Sequence, residues 1–236
     1  MSQPTRSASP RVSIVMPSFN AAGTILDSVE SVQQQTVADW EMIIVDDGST
    51  DETVALIEQV SLQDPRVRIV QQANSGPSIA RNKGVSEALA SVVAFLDSDD
   101  LWEPQHLEIN LASLSEFNDL GVSFSPCRLM DADGKLTGEM TAAWLEDVKI
   151  ADILSCNPSS TCSALVVRKA AFEETQGFDK HMVHAEDQEW LYRVLTSGWK
   201  MRGLSEATVR YRLSPKGLSA DTKRMHGGWQ AFIASA

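Results

Sequence analysis

Hydrophobic and polar positions follow two alternating patterns along the first hundred residues. Short apolar runs that are typical of buried strands fall at residues 12–17, 42–45, 66–72 and 91–97. Between them, apolar residues recur at helical spacing; the first such set is Ile25, Leu26, Val29 and Val32, and the second is Val54, Ile57 and Val60. Strands that alternate with helices predict an α/β fold with a mostly parallel central sheet covered by helices on both sides.

Three local signals predict where helices begin. Ser49 and Glu52 have the spacing of a capping box, which predicts a helix start at that turn. Gly76 and Pro77 predict the start of a helix that runs to about Ala90, because proline is tolerated at the first helical position. Pro104 opens the next predicted helix in the same way.

From about Gly121 the pattern changes to mixed α+β. The stretch "GVSFSPCRLMDADGKL" predicts a hairpin around an Asp-Gly turn, and "STCSALVVRK" predicts a further strand. Helices are expected in "AAFEET" and "AEDQEWLYRVLTSG", and an edge strand or hairpin in "WKMRGLSEATVRYRL". We therefore expect a Rossmann-like half over residues 12–102 and a mixed half over 103–213.

The two ends lie outside this predicted domain. Residues 1–11 are rich in Ser and Pro and are expected to form a flexible arm. Residues 214–236 form a C-terminal extension, whose abrupt end allows a truncated chain. The extension predicts an amphipathic helix, although two glycines weaken the prediction. The apolar side of this helix would carry Met225, Trp229, Phe232 and Ile233. We favour packing of that side on the domain's own core over a membrane or partner contact.

Composition narrows the class of protein. A chain of 236 residues with 43% hydrophobic residues is expected to be a folded globular protein, with one large domain or a domain with a small appendage. The net charge of −12 argues against nucleic acid as a partner. Cys127, Cys156 and Cys162 show no CxxC pairing, which fits free thiols in a reducing compartment. No signal peptide and no apolar window of roughly 20 residues is seen, so the sequence predicts a soluble, cytoplasmic protein.

Polar clusters follow each of the four predicted parallel strands, and they read "PSFN", "DDGSTD", "NSGPSIARNKG" and "DSDD". Ligands of open parallel sheets bind beyond the carboxyl ends of the strands, so these clusters predict one site built from four loops. Neither GxGxxG nor GxxxxGK[ST] is found. Asp97 and Asp99 are two residues apart and point to the same side of an extended backbone. Their repulsion would be relieved by Mn²⁺ or Mg²⁺ with a diphosphate, although turn and cap acids are the alternative.

The chain resembles a known family at these motifs. "VSIVMPSFN", "EMIIVDDGSTD", "NSGPSIARNKG" and "VAFLDSDDLW" are similar to successive signatures of family 2 glycosyltransferases, which have the GT-A fold. The later "GFDKHMVHAEDQEWLYR" resembles the acidic "ED" segment of that family. The resemblance covers residues 12–213, and five motifs in order make it specific.

The resemblance implies a nucleotide site in the first half. Pro17 and Phe19 match the loop that lines the base, and Asp47 matches the carboxylate that hydrogen-bonds the base, with a helix-capping turn acid as the alternative. Asp46 is expected to support the turn. Arg81 matches a basic residue near the nucleotide; the alternative is an exposed helix arginine.

The family's DXD motif matches Asp97 and Asp99. This implies that Asp99 contacts the metal directly and that Asp97 lies near the ribose or the metal. Asp100 has no such assignment, and we expect it to cap the next helix.

In the "ED" segment, Asp187 matches the general base of an inverting mechanism. Displacement at an anomeric carbon needs the acceptor hydroxyl deprotonated on the face opposite the leaving group, which a positioned carboxylate can do. The alternative is a first-turn acid favoured by the helix dipole. Glu186 and Glu189 are interpreted as orienting or solvated acids. For His184 we favour contact with neither metal nor acceptor, and contact with one of them is the alternative. For Trp190 we favour packing in the core, and stacking on a sugar is the alternative.

The leading hypothesis is an inverting, metal-dependent glycosyltransferase that serves polysaccharide, glycolipid or other glycoconjugate synthesis. The donor is a nucleotide-diphospho sugar, with UDP favoured and GDP or dTDP open, and the acceptor is a glycan, lipid-linked or small-molecule hydroxyl. A QxxRW segment and membrane spans are missing, which points to a non-processive enzyme. Peripheral association with the cytoplasmic face of a membrane stays open, and so does the oligomeric state.

The rival functions are a sugar-nucleotide nucleotidyltransferase and a non-catalytic sugar-nucleotide binding module. By analogy with the family, residues 157–164 are expected to lie near the acceptor, and no individual role is predicted for them.

Overall fold

The four apolar runs near the N-terminus form parallel strands in the computed structural model, which describes residues 9–182, 184–214 and 221–235. These strands are β1 (Val12–Ser18), β2 (Trp40–Asp46), β3 (Val67–Gln71) and β4 (Val92–Phe95). Strand β1 pairs in parallel with both β2 and β4, and β3 pairs in parallel with β2. Their carboxyl ends therefore meet at one edge of the sheet, as predicted.

Helices α1 (Ile25–Gln33), α2 (Thr53–Gln63) and α3 (Pro77–Glu87) connect these strands. Helix α3 begins at the predicted glycine and proline. It lies so close to β1 that a Cβ on Gly84 would come 2.3 Å from Val15 Cγ1. This close approach fixes the depth at which α3 presents its side chains to the end of the sheet.

The predicted capping box at Ser49 and Glu52 is wrong. Helix α2 begins only at Thr53, where Asp51 accepts the Thr53 backbone N–H at 3.0 Å. The Ser49 hydroxyl instead accepts the N–H of Asn20 at 2.9 Å. A closer acid thus takes the amide at the start of the helix, while Ser49 joins the loop after β1 to the loop after β2.

Three strands from the second half complete a seven-stranded sheet. They are β6 (Leu120–Phe124), β9 (Leu165–Arg168) and β10 (Lys200–Gly203), and the order across the sheet is β10-β6-β9-β4-β1-β2-β3. Strand β9 lies between β4 and β6 and is antiparallel to both, whereas β10 is parallel to β6. The mostly parallel α/β fold is confirmed, and both predicted halves contribute to this one sheet.

A second sheet of four strands lies beside the first, in the order β5-β11-β7-β8. Its strands are β5 (Leu101–Trp102), β7 (Cys127–Met130), β8 (Leu136–Met140) and β11 (Val209–Arg212). The predicted hairpin around the Asp-Gly turn is confirmed as the antiparallel pair β7–β8. A hairpin over residues 199–213 is wrong, because β10 and β11 belong to different sheets. The edge-strand alternative holds for β10.

The remaining helices are α4 (His106–Glu116), α5 (Ile150–Ser155), α6 (Lys169–Glu174), α7 (Glu186–Thr196) and α8 (Thr222–Ser235). Trp190 of α7 is fully buried and contacts the rings of Phe172 and Phe178 at 5.2 and 5.3 Å between centroids, so its packing role is confirmed.

Helix α8 forms where an amphipathic helix was predicted. Phe232 is fully buried against Tyr192 of α7, which confirms packing on the domain's own core at that position. The other apolar residues of α8 are about one third exposed; they are Met225, Trp229 and Ile233. The three cysteines are free. Over the described ranges, no helix is long and apolar enough to cross a membrane.

Candidate active site

A pocket of about 610 Å³ lies beyond the carboxyl ends of the parallel strands, a volume within the usual range of small-molecule sites. Every predicted site residue lines it, namely Pro17, Phe19, Asp47, Arg81, Asp97, Asp99 and Asp187. The expectation that several strand-end loops build one site therefore agrees with the geometry, while the role of each side chain stays a prediction.

Phe19 and Asp47 form one side of the pocket. Phe19 follows β1 and is 50% exposed, which leaves a ring face open to a ligand. Asp47 is buried and organises the loop before α3: one oxygen accepts hydrogen bonds from Gln72 Nε2 and Ser75 N, and the other accepts the N–H of Gly76, all at 2.8 Å. A carboxylate has about four acceptor positions, so one remains for a ligand N–H.

Asp46 supports the neighbouring turn, as expected. Its Oδ2 accepts the backbone N–H groups of Gly48 and Ser49, both at 3.2 Å. Gly48 has φ of +80°, a left-handed conformation that favours glycine. The two adjacent aspartates thus hold two different loops.

Arg81 is buried, so the alternative of an exposed helix arginine is wrong. One of its terminal nitrogens donates to Asp97 Oδ1 at 2.6 Å, and the other donates to Glu186 Oε1 at 3.0 Å. Burial disfavours the charged guanidinium, but the surrounding acids, Asp97 foremost, outweigh this and raise the pKa of Arg81. One side chain of α3 therefore joins the loop after β4 to the start of α7.

Asp100 does not cap the next helix, and that expectation is wrong. The chain enters β5 directly after it, and the fully buried Asp100 carboxylate accepts hydrogen bonds from Ser163 Oγ and the backbone N–H of Arg212. Ser163 Oγ also accepts the N–H of Asp97 at 3.0 Å. The Asp100–Ser163 pair thus fixes the backbone that carries Asp97.

The acids of this loop disfavour one another's charge. Burial and the neighbouring Asp97 raise the pKa of Asp99 to about 6. Burial, Asp99 and Asp97 raise the pKa of Asp100 as well. A cation beside Asp97 and Asp99 would relieve this repulsion.

The loop fits a divalent cation that takes part of its coordination from a substrate. No group of three or more His, Cys, Asp or Glu side chains arranged to hold a metal is found in the described ranges. Mg²⁺ and Mn²⁺ are commonly bound by one or two carboxylates together with substrate phosphates. Asp97 and Asp99 both line the pocket and match that pattern.

Asp187 lies in the first turn of α7 and is half-buried. Its Oδ2 accepts a hydrogen bond from Asn157 Nδ2 at 2.7 Å, and its Oδ1 accepts the N–H of Gln188 at 2.8 Å. Burial raises its pKa, and these two hydrogen bonds oppose the rise. The two hydrogen bonds therefore orient the carboxylate, and its pKa lies above the ordinary value for aspartate.

Glu186 and Glu189 have different surroundings. Glu186 lines the pocket, is bound to Arg81, and has a pKa raised to about 7 by burial and by Asp187. Glu189 points along α7 and forms an ion pair with Arg193 at 2.6 Å. Glu186 is thus part of the site's charge network, whereas Glu189 stabilises the helix.

The sequence predicted no ligand-binding role for several residues that line the pocket, among them Ser160, Thr161, Cys162, His184, Tyr211, Arg212 and Met225. The segment before β9 reaches the pocket because β9 is antiparallel, so its start lies at the edge where the parallel strands end. The polar stretch from residue 157 to 163 is the sequence signal for this segment, but the direction of β9 is set by tertiary pairing.

An open α/β sheet with this pocket defines a class of protein. Solved structures with similar folds include TarS 1–349 from S. aureus in complex with UDP-GlcNAc and the mannosyltransferase PcManGT from Pyrobaculum calidifontis in complex with GDP-Man and Mn²⁺. The TM-scores are 0.74 and 0.76 at 19% and 18% identity, covering 95% and 97% of this chain and 66% and 64% of those chains. The fold is the GT-A glycosyltransferase fold.

Sequence comparison gives the family. Residues 13–146 match Glycosyl transferase family 2. The putative teichuronic acid biosynthesis glycosyltransferase TuaG of Bacillus subtilis is 34% identical, with 90% of this chain and 82% of that protein covered. The glucosyltransferase WfgD of Escherichia coli is 28% identical, with 94% and 85% covered. The chain belongs to glycosyl transferase family 2 and is a glycosyltransferase of the nucleotide-sugar type.

Proposed function

We propose that this glycosyltransferase is inverting, metal-dependent and non-processive, and that it moves one sugar from a nucleoside-diphospho sugar to an acceptor hydroxyl. The observation that carries the proposal is the Arg81 bridge. A single guanidinium binds Asp97 of the DXD loop at 2.6 Å and Glu186 of the ED segment at 3.0 Å. The predicted donor-binding acid and the residue beside the predicted base are therefore held in one pocket.

The donor nucleotide would lie between Phe19 and Asp47. The exposed ring offers a stacking face, and the remaining acceptor position on Asp47 suits an N–H of uracil or guanine. TarS is described with UDP-GlcNAc and PcManGT with GDP-Man, which supports a nucleotide-sugar donor. We favour a UDP-sugar.

Asp99 and Asp97 would hold Mn²⁺ or Mg²⁺, with Asp99 as the direct ligand. When bound, the ion supplies stabilisation of the negative charge on the departing diphosphate. Arg81 balances the charge of Asp97, and the Asp100–Ser163 pair fixes the loop backbone, so the two carboxylates are presented in a defined arrangement.

Asp187 would act as the general base. Its carboxylate takes the proton as the acceptor O–H bond breaks, and the acceptor oxygen forms a bond to the anomeric carbon. The bond from that carbon to the diphosphate oxygen breaks with its electron pair, and the nucleoside diphosphate leaves. Attack opposite the leaving group inverts the anomeric configuration.

The acceptor belongs to polysaccharide synthesis in this proposal. The name of TuaG refers to teichuronic acid biosynthesis, and the name of WfgD refers to transfer of glucose to an α-D-GlcNAc-diphosphoundecaprenol. Both support a hydroxyl of a glycan or lipid-linked glycan. A lipid-linked acceptor would bring this protein to the cytoplasmic face of a membrane.

The direct test is a panel of nucleotide sugars with Mn²⁺, in which release of nucleoside diphosphate is measured with and without glycan acceptors. We expect one donor to be hydrolysed slowly, and EDTA or Asp99→Ala to abolish the release. Asp133→Ala is the matched control, because Asp133 lies on an exposed turn outside the pocket. Formation of nucleoside triphosphate from pyrophosphate would instead support a nucleotidyltransferase, and donor binding without any release would support a binding module.

The base assignment has its own prediction. Asp187→Asn keeps the size of the side chain but cannot take the proton, so acceptor-dependent transfer should fall by about 10²- to 10⁴-fold. UDP binding, measured by calorimetry, should change little because the base does not contact the nucleotide in this proposal. Undiminished transfer by Asp187→Asn would contradict the assignment.

A further inference from the structure

The amide of Asn157 is held in one orientation between Ser159 and Asp187. Its Oδ1 accepts hydrogen bonds from the backbone N and the Oγ of Ser159, at 3.2 and 2.9 Å, and its Nδ2 donates to Asp187 Oδ2 at 2.7 Å. A backbone N–H is only a donor, so the carbonyl oxygen of the amide must face Ser159. The amide NH₂ is then left for Asp187.

A second contact ties the same part of α7 to α5. Gln188 is buried, and its Nε2 donates to the carbonyl oxygen of Ile153 in α5. Consecutive residues of α7 are therefore attached to α5 and to the turn that follows it. Asp187 cannot rotate freely about its side-chain bonds without breaking the bond to Asn157.

We propose that Asn157 is a positioning residue for Asp187. The Asn157 amide donates a hydrogen bond to the Asp187 carboxylate and thereby holds that carboxylate toward the acceptor hydroxyl. This inference rests on the proposed role of Asp187 as general base. Each Asp187 oxygen uses one acceptor position, for Asn157 or for Gln188, and keeps a second position for the incoming proton. Asp187 lines the pocket, and the hydrogen bond from Asn157 holds its carboxylate there.

Asn157 also acts on the charge of Asp187. Burial disfavours the carboxylate, and a hydrogen bond to the charged form favours it. Arg81 lowers the pKa of Asp187 and Asp97 raises it. Further titratable side chains lie on the elements around Asp187, namely Asp152, Cys162, His184, Glu186, Glu189, Lys223 and Arg224. All of these stay unchanged when only Asn157 is replaced.

Asn157→Asp is the decisive variant because it separates the two ends of the side chain. The new carboxylate can still accept from Ser159, so the turn is retained, but in its ionised form it cannot donate to Asp187 and adds a like charge beside it. We expect kcat for transfer to fall about 10- to 100-fold, as for loss of a hydrogen bond to a charged group. The KM for the donor should be unchanged, and the acidic limb of the kcat–pH profile should move to higher pH.

Asn118→Asp is the matched control, since it makes the same substitution at an exposed position before β6. It should leave kcat and the pH profile unaltered. Asn157→Ala, which adds no charge, provides a second measurement if the aspartate variant fails to fold. Its acidic limb should move in the same direction by a smaller amount.

If Asp187→Asn is inactive, two results would overturn the inference. One is a wild-type kcat together with an unmoved acidic limb in Asn157→Asp, and the other is an unmoved acidic limb in Asn157→Ala. Asn157 would then be only a turn residue. Full activity of Asp187→Asn would instead overturn the base assignment on which the inference rests. The two failures are thus distinguished by the same set of variants.

Discussion

At the scale of single residues, the pocket depends on acids that the fold holds in unfavourable surroundings. Burial raises the pKa values of Asp99, Asp100, Glu186 and Asp187. Arg81 is a buried cation that forms ion pairs with two acids of the pocket, Asp97 and Glu186. A site with so many acids and one bridging arginine is suited to a substrate that arrives with a cation.

His106 is a buried residue outside the pocket whose protonation should affect stability. Its ring stacks on Trp102 at 4.3 Å, its Nδ1 contacts Thr208 Oγ1 at 2.8 Å, and burial lowers its pKa to about 3. Between about pH 6.5 and 3 the unfolded chain binds a proton there and the folded chain does not. The contribution of His106 to stability is therefore complete above about pH 6.5 and is lost as the pH falls.

This gives a prediction for chemical denaturation between pH 7 and 4. His106→Gln should show a smaller loss of unfolding free energy on acidification than the wild type, by up to about 1.4 kcal/mol per pH unit. Glu186, with a raised pKa, acts in the opposite direction in both proteins, so the difference between them isolates His106. The exposed His181→Gln variant serves as control. Parallel pH dependence of wild type and His106→Gln would contradict the prediction.

At the scale of elements, α8 packs closely against the ED segment at Gly228. A Cβ on Gly228 would lie 2.5 Å from the carbonyl oxygen of His184 and 2.7 Å from its Cβ, whereas a Cβ on Gly227 would meet nothing within 4 Å. Met225, one turn earlier, lines the pocket. The helix thus approaches the site closely because a residue without a side chain faces His184.

Neighbouring glycines provide the test. Gly228→Ala should displace α8 and increase hydrogen exchange of its amides, because the methyl group overlaps the His184 backbone. Gly227→Ala should decrease exchange, since alanine favours a helix by about 1 kcal/mol over glycine. Mass-spectrometric exchange on α8 peptides measures both effects. Equal behaviour of the two variants would show that the contact at residue 228 does not hold the helix.

The elements differ in how far the sequence could predict them. Strands β1–β4 were predicted because each contains a short stretch of mostly apolar, often β-branched residues that is followed by turn residues. The Gly76–Pro77 helix start has a local cause as well. The capping box failed because Asp51 lies closer to the first helical amide than Ser49 does. Asp100 was misjudged because its partners, Ser163 and the Arg212 amide, are distant in sequence.

The same distinction applies to the site. Asp47, Asp97 and Asp99 follow strands, so local spacing was enough to predict that they share a pocket. Asn157 depends on α5 and on the antiparallel direction of β9, which only long-range pairing decides. Local sequence therefore predicted the acids, while their positioning partners came from the tertiary structure.

At the scale of the whole molecule, the two halves of the chain are interleaved in one sheet. Strand β9, from the second half, pairs with β4 of the first half on one side and with β6 on the other. The Arg81–Glu186 ion pair crosses the pocket between the same halves. The family match ends at residue 146, before β9 begins. The region that matches the family model therefore lacks a central strand of the seven-stranded sheet.

This interleaving predicts that a fragment of residues 1–146 does not fold alone. Without β9, one edge of β4 is left unpaired, although Val93, Ala94 and Phe95 are fully buried in the intact chain, and β6 loses its link to the sheet. Unpaired backbone groups of that kind are costly or lead to aggregation. A fragment of residues 1–214 keeps both sheets and α7, so it should retain a single cooperative thermal transition by circular dichroism. A cooperative, monomeric 1–146 fragment would show that β9 only covers a sheet that is already stable.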